Sequence, residues 1–125
     1  MRKRIALVVV GAMTAALLGA ATAQASCIFM TSAEQRARAD VIFDGVPLEG
    51  PTATGVQRFK VTRYLKGRGP GIVRVSTGVV RRADGSGSTT SVSILARRGE
   101  RWRIFAQGSS RRILRTSVCD GSRKR

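Results

Sequence analysis

Cys27 and Cys119 are the only cysteines of this 125-residue chain, histidine is absent, and Asp and Glu together number seven. Those counts bound the chemistry. Without an imidazole the chain lacks the usual general base, the usual zinc ligand and the third member of most nucleophilic triads. A glycosidase needs two carboxylates held across a substrate cleft, and Asp40 with Asp44 is the one close pair that could share a strand face. Capping and turn-making account for these aspartates better, with Asp44-Gly45 reading as a turn at the end of a short strand. Two cysteines tied to each other leave no thiolate and no metal cluster. The residue types therefore point away from catalysis and from any cofactor, and toward a protein that acts by binding.

Whether the cysteines pair depends on the compartment, which the amino terminus addresses. Arg2-Lys3-Arg4 forms a positive n-region and Ile5 to Leu18 is uncharged and mostly apolar. Ala23-Gln24-Ala25 then places small residues at the two positions a signal peptidase inspects. The expected signal peptide is residues 1–25, with one secreted domain over residues 26–125 beginning at Ser26. A retained membrane anchor is one alternative, because Ile5 to Ala23 approaches the roughly 20 apolar residues that span a bilayer. Its second half is mostly Ala, Gly and Thr, which is weak hydrocarbon and good cleavage-site composition. Lipidation of Cys27 is the other, but Gln24-Ala25-Ser26 lacks the aliphatic residue usually found three places before a lipidated cysteine. In an oxidising compartment, with no second pair to compete, Cys27 and Cys119 are expected to form a disulfide. In the chain-entropy picture a loop this long stabilises by up to about 4 to 5 kcal/mol.

Charge is the loudest compositional fact. Of 23 Lys and Arg, Arg2, Lys3 and Arg4 precede the expected cleavage site, leaving 20 against seven carboxylates, a balance of +13. A polyanion partner is the sharp reading: extracellular nucleic acid, an anionic envelope polymer or an acidic lipid surface. The plainer reading is that arginines scattered in twos, as Arg81-Arg82, Arg97-Arg98 and Arg111-Arg112, keep exposed strand faces solvated.

The elements that position these residues are short. Thr31 and Ser32 stand three residues before Glu34 and Gln35, capping-box spacing for a small helix that ends near Ala39. Val41 and Phe43 share a strand face, and Pro47, Gly50, Pro51 and Gly55 hold a loop. From Val56 the period is two, with Phe59 and Val61 on one face and Arg58, Lys60 and Thr62 on the other, until Tyr64-Leu65 breaks the alternation as a bulge or strand end would. Gly67-Arg68-Gly69-Pro70-Gly71 precedes a strand, Ile72 to Thr77, so it is a turn and not a phosphate loop opening a helix. Val79 to Arg82 and Ser91 to Leu95 flank a polar hairpin tip. Trp102, Ile104 and Ala106 alternate with Arg101 and Arg103, and Ile113 to Thr116 is a last short strand before Cys119 and a basic tail. Five or six short strands with one helix predict a mainly β fold, a small closed or partly closed barrel, with a sandwich as the competing architecture. Phe43, Phe59 and Trp102 fall in the apolar phase and read as core, which leaves Tyr64 and Phe105 as the candidates for an exposed aromatic platform.

Together these segments resemble the tissue inhibitors of metalloproteinases, and specifically small bacterial secreted proteins that share their OB-type inhibitory barrel. The similarity runs through Ser26-Cys27; Ala39 to Phe43 with Gly45; Phe59 and Val61 leading to Leu65-Lys66-Gly67; Gly99 to Trp102 with Phe105-Ala106; and Leu114, Thr116-Ser117, Cys119 and Gly121. It spans nearly the whole mature chain. The resemblance implies a small OB-like five- to six-stranded barrel in which Cys27 and Cys119 occupy two positions that pair in the family. The family's other pair is missing at both ends: its first cysteine falls at Ala25 and its partner near Ser91 or Val92. In the animal inhibitors the amino group and carbonyl of that first cysteine chelate the target's catalytic zinc. These are backbone atoms, so a free terminal Ser26 offers the same nitrogen and oxygen to an open zinc position. The resemblance thus makes Ser26 and Cys27 the candidate inhibitory terminus and a secreted zinc metalloprotease the partner of a monomeric inhibitor. Against it stands the plainer role of Cys27 as a barrel staple alone.

Overall fold

The computed structural model describes residues 27–89 and 93–125. The expected signal peptide, Ser26, and the start of the segment Ser91 to Leu95 lie outside the described residues. Among the described residues a first helix, α1 (Ser32–Arg38), is followed by strands β1 (Val41–Pro47), β2 (Val56–Lys66), β3 (Ile72–Ser76), β4 (Val80–Arg81), β5 (Gly87–Ser88), β6 (Trp102–Ala106), β7 (Ile113–Arg115) and β8 (Arg123–Lys124). Six strands form one sheet in the order β7-β3-β2-β1-β6-β8, and β4 with β5 makes a separate small hairpin. β3 and β7 run parallel, whereas the other neighbours in the sheet are antiparallel.

Gln107, just past β6, and Arg115, the last residue of β7, exchange two backbone hydrogen bonds of 2.9 and 3.0 Å. This bridge brings the end of β6 onto the end of β7, so β1, β2, β3, β7 and β6 follow one another round a ring while β8 adds to β6 from outside. That order, with its single parallel contact, is an OB-like barrel. The alternation that predicted strands is the alternation that fills it. Phe43, Phe59, Val73, Val75, Ile104 and Leu114 are each at most 1% exposed and form one cluster with Val41, Trp102 and Ala106. Phe43 and Phe59 meet edge to face with ring centroids 6.0 Å apart, the geometry the aromatic quadrupole favours.

α1 buries no residue of its own and is held by its ends. At the start, the Thr31 amide donates to Glu34 Oε2 at 2.7 Å while the Glu34 amide donates to Thr31 Oγ1 at 3.2 Å, the reciprocal box predicted by the spacing. At the other end, Lys66 Nζ donates to the Arg36 carbonyl at 2.8 Å and ties the helix to β2.

Three expectations need correction. Asp44-Gly45 is not a turn: β1 runs on through Pro47, and the register with β2 shifts between Asp44 and Gly45 because Thr62 of β2 is an extra residue, so the pair sits inside a strand opposite a bulge. Extra twist here lets the strand bend round the barrel. The hairpin is shorter than its flanking apolar runs, and 93–96 carries no strand although Ile94 and Ala96 are fully buried. Ile94 reaches the core from a connection fastened by its amide to the Thr77 carbonyl at 3.0 Å. Phe105, taken as exposed, is 4% exposed and forms a second cluster with Ala39 and Ile42 on the other face of the sheet. The bulge expected at Tyr64-Leu65 is present: Phe43 pairs with Tyr64 and Ile42 with Lys66, so Leu65 is the extra residue.

Candidate functional site

Cys27 and Cys119 are joined by a disulfide, with their Cα atoms 5.2 Å apart. Cys119 sits in a single helical turn, Val118–Asp120, between β7 and β8. Asp120 Oδ2 fastens that turn by accepting from the Ser117 amide and hydroxyl, both at 3.1 Å. Gly121 follows in the left-handed region at φ 101°, where a Cβ would lie 2.7 Å from Gln35 Oε1 of α1. The staple therefore fixes the residues just before α1 to a turn that lies against the helix.

Between the staple and the helix cap the chain presents two consecutive large apolar side chains to solvent, Ile28 at 84% exposure and Phe29 at 89%. Met30 folds back and accepts a contact from Arg38 Nη1 at 3.5 Å. A five-residue segment, Cys27 to Thr31, is thus pinned at one end by the disulfide and at the other by the capping box, with Ile28 and Phe29 standing out between. The sequence reading singled out Cys27 but missed Ile28 and Phe29; the signal was an apolar pair directly before a helix cap, outside any strand period.

The second feature missed in the sequence is centred on Asp44, whose side chain is only 9% exposed. Arg103 Nε and Nη2 donate to its two carboxylate oxygens at 2.8 and 3.0 Å. Arg125 Nη1 adds a bond of 2.8 Å and Arg63 Nη2 one of 3.3 Å. Hydrogen bonding from Arg103, reinforced by the charges of Arg103 and Arg125, outweighs burial and holds the Asp44 carboxyl below its ordinary range. Asp40 lies outside β1 and is exposed, accepting from the Gly108 amide at 2.8 Å. The two aspartates serve different partners and make no acid–base pair.

Other carboxylates are similarly committed. Glu49 pairs with Arg58 at 2.9 Å. Glu100 receives Lys124 Nζ at 2.6 Å and the Arg97 amide at 2.7 Å, and these bonds pull its carboxyl down to about 2. Tyr64, the other aromatic taken as exposed, packs against the core cluster and donates its hydroxyl to the Pro70 carbonyl at 2.7 Å. With Phe105 buried, neither aromatic offers a stacking platform. Among the described residues no group of three Cys, Asp or Glu converges as metal ligands, and no helix is long and apolar enough to cross a membrane. No protein-family model, curated protein or solved structure matches the chain.

Proposed function

We propose that this is a secreted, non-enzymatic binding protein that inhibits a zinc metalloprotease through its amino-terminal segment, in the manner of the inhibitors it resembles. The observation that carries the reading is the exposure of Ile28 and Phe29, 84% and 89%, next to the Cys27–Cys119 staple. Each such side chain forgoes about 1.5 to 3 kcal/mol of burial when left in water. Two in succession, on a segment pinned at both ends, are suited to fill a partner's apolar clefts at little ordering cost. A chain that begins at Ser26 carries its free amine and first carbonyl immediately before this segment, two backbone ligands for an open zinc position. The test is a panel of secreted zinc proteases assayed with protein beginning at Ser26 and with protein bearing one extra residue before it. Inhibition by the first and not by the second supports chelation by the terminus; equal inhibition by both contradicts it.

A second reading rests on the charge. Asp44, Glu49 and Glu100 are all consumed by internal ion pairs, so the cation surplus is carried by arginines and lysines at the surface. Under this reading the protein binds an anionic envelope polymer or another polyanion. Retention on heparin should fall steeply with salt, because each neutralised anion releases counterions. Retention that is flat from low to high salt would rule this out.

A further inference from the structure

The bulge at Leu65 has a second consequence, on the outer face of the barrel. It places Leu65 and Lys66 on the wall of a cavity of about 200 Å³ that is lined also by Arg36, Ile42, Arg103 and Phe105. The bottom is apolar, for Ile42 and Phe105 are cross-strand partners on β1 and β6 and each is 4% exposed. The rim is cationic. The Arg36 guanidinium has no hydrogen-bond or ion-pair partner among the described residues. Among the described residues Lys66 Nζ bonds only to the Arg36 and Ala37 carbonyls, at 2.8 and 3.4 Å, so no carboxylate there offsets its charge. Arg103 gives Nε and Nη2 to Asp44, and its Nη1 has no hydrogen-bond partner among the described residues. Arg123 stands over the Phe105 ring, its guanidinium carbon 5.6 Å from the centroid. Among the described residues no acidic side chain lines the cavity itself.

We propose that this cavity binds a small amphiphilic anion: a carboxylate or a phosphate monoester on a short apolar body. A neutral apolar molecule would cover Arg36 and Lys66 without supplying either a counter-charge, and burying an unpaired charge is costly. A bare inorganic anion would leave the Ile42–Leu65–Phe105 surface wet. An anion with an apolar body satisfies both, its oxygens taking charge-assisted bonds from Arg36, Lys66 and Arg103 while the body covers the apolar floor. The volume is that of about seven water molecules, so the enclosed part of the body is short. The site uses none of Cys27, Ile28 or Phe29, and it stands or falls independently of the inhibitor reading.

The test is an NMR titration of the disulfide-bonded protein with octanoate and octyl phosphate, with octylamine and inorganic phosphate as comparators. The expected result is saturable one-to-one binding of at least one of the two amphiphilic anions, with shift changes centred on Ile42, Leu65 and Phe105. It should be at least about tenfold tighter than binding of either comparator, equivalent to about 1.4 kcal/mol. The tighter of octanoate and octyl phosphate names the headgroup. Leu65→Glu, which sets a carboxylate at the cavity wall, should abolish binding, and Arg36→Gln should weaken it with the thermal midpoint unchanged. No saturable binding overturns the proposal. So does equal binding of octylamine, equal binding of inorganic phosphate, or full affinity in both variants.

Discussion

Asp44 holds three guanidinium groups at once, and most of the electrostatic stability traceable to one residue is gathered there. Its partner Arg103 is itself only 14% exposed, so Asp44→Asn leaves a largely buried cation without its counter-charge. The expected cost is about 3 kcal/mol in urea unfolding, since breaking a buried pair is dearer than removing a surface one. The pH dependence has a definite sign. Because the folded carboxyl titrates lower than the unfolded one, the folded state binds fewer protons and is favoured above the ordinary carboxylate pKa of about 4. That contribution is lost as pH falls through the folded value. Glu100, held at about 2 by Lys124 and the Arg97 amide, adds to the same acid limb, so stability should decline between about pH 5 and pH 2. In Asp44→Asn the decline should be shallower; an unchanged acid limb would show that the arginine cluster contributes nothing to it.

At the level of elements, β1 is the strand that both sheets of contacts depend on, lying between β2 and β6. Gly45 lies opposite the Thr62 bulge of β2, where a Cβ would meet the Lys60 carbonyl oxygen and a Phe43 ring carbon, both at 2.9 Å. Gly45→Ala should therefore cost about 2 kcal/mol, the usual scale of overpacking, read as a fall in denaturation midpoint with an unchanged slope. A neutral outcome would mean that the backbone can give here. The sequence announced the elements whose signals are local: the Thr31 box, the alternation through Phe59 and Val61, the break at Tyr64-Leu65 and the inward phase of Trp102 and Ile104. It misread those set by tertiary pairing. Asp44-Gly45 has turn composition, yet two flanking strands hold it extended. Phe105 falls out of phase with Trp102 and Ile104 because it serves a second apolar cluster, with Ala39 and Ile42. The Asp44 cluster gathers arginines from β2, β6 and the residue after β8, up to 81 positions away, a convergence no local pattern encodes.

For the molecule as a whole, the disulfide joins the first described residue to the last barrel turn across 92 positions. A domain of about 100 residues is stable by only about 5 to 15 kcal/mol. Reduction should therefore remove about 3 to 4 kcal/mol and lower the thermal midpoint by at least about 10 °C; a midpoint that does not move would mean that the ring of strands holds without its staple. The same staple makes the segment from Cys27 to Thr31 a fixed projection, and the functional account rests on that. Its most direct test is the double variant Ile28→Ser with Phe29→Ser, measured for both thermal midpoint and inhibition of the zinc-protease panel. The account predicts a midpoint within about 2 °C of the parent, because these side chains are left exposed by folding, together with at least a tenfold loss of inhibition, as expected when two interface anchors are removed. A large drop in midpoint, or inhibition equal to that of the parent protein, would contradict it.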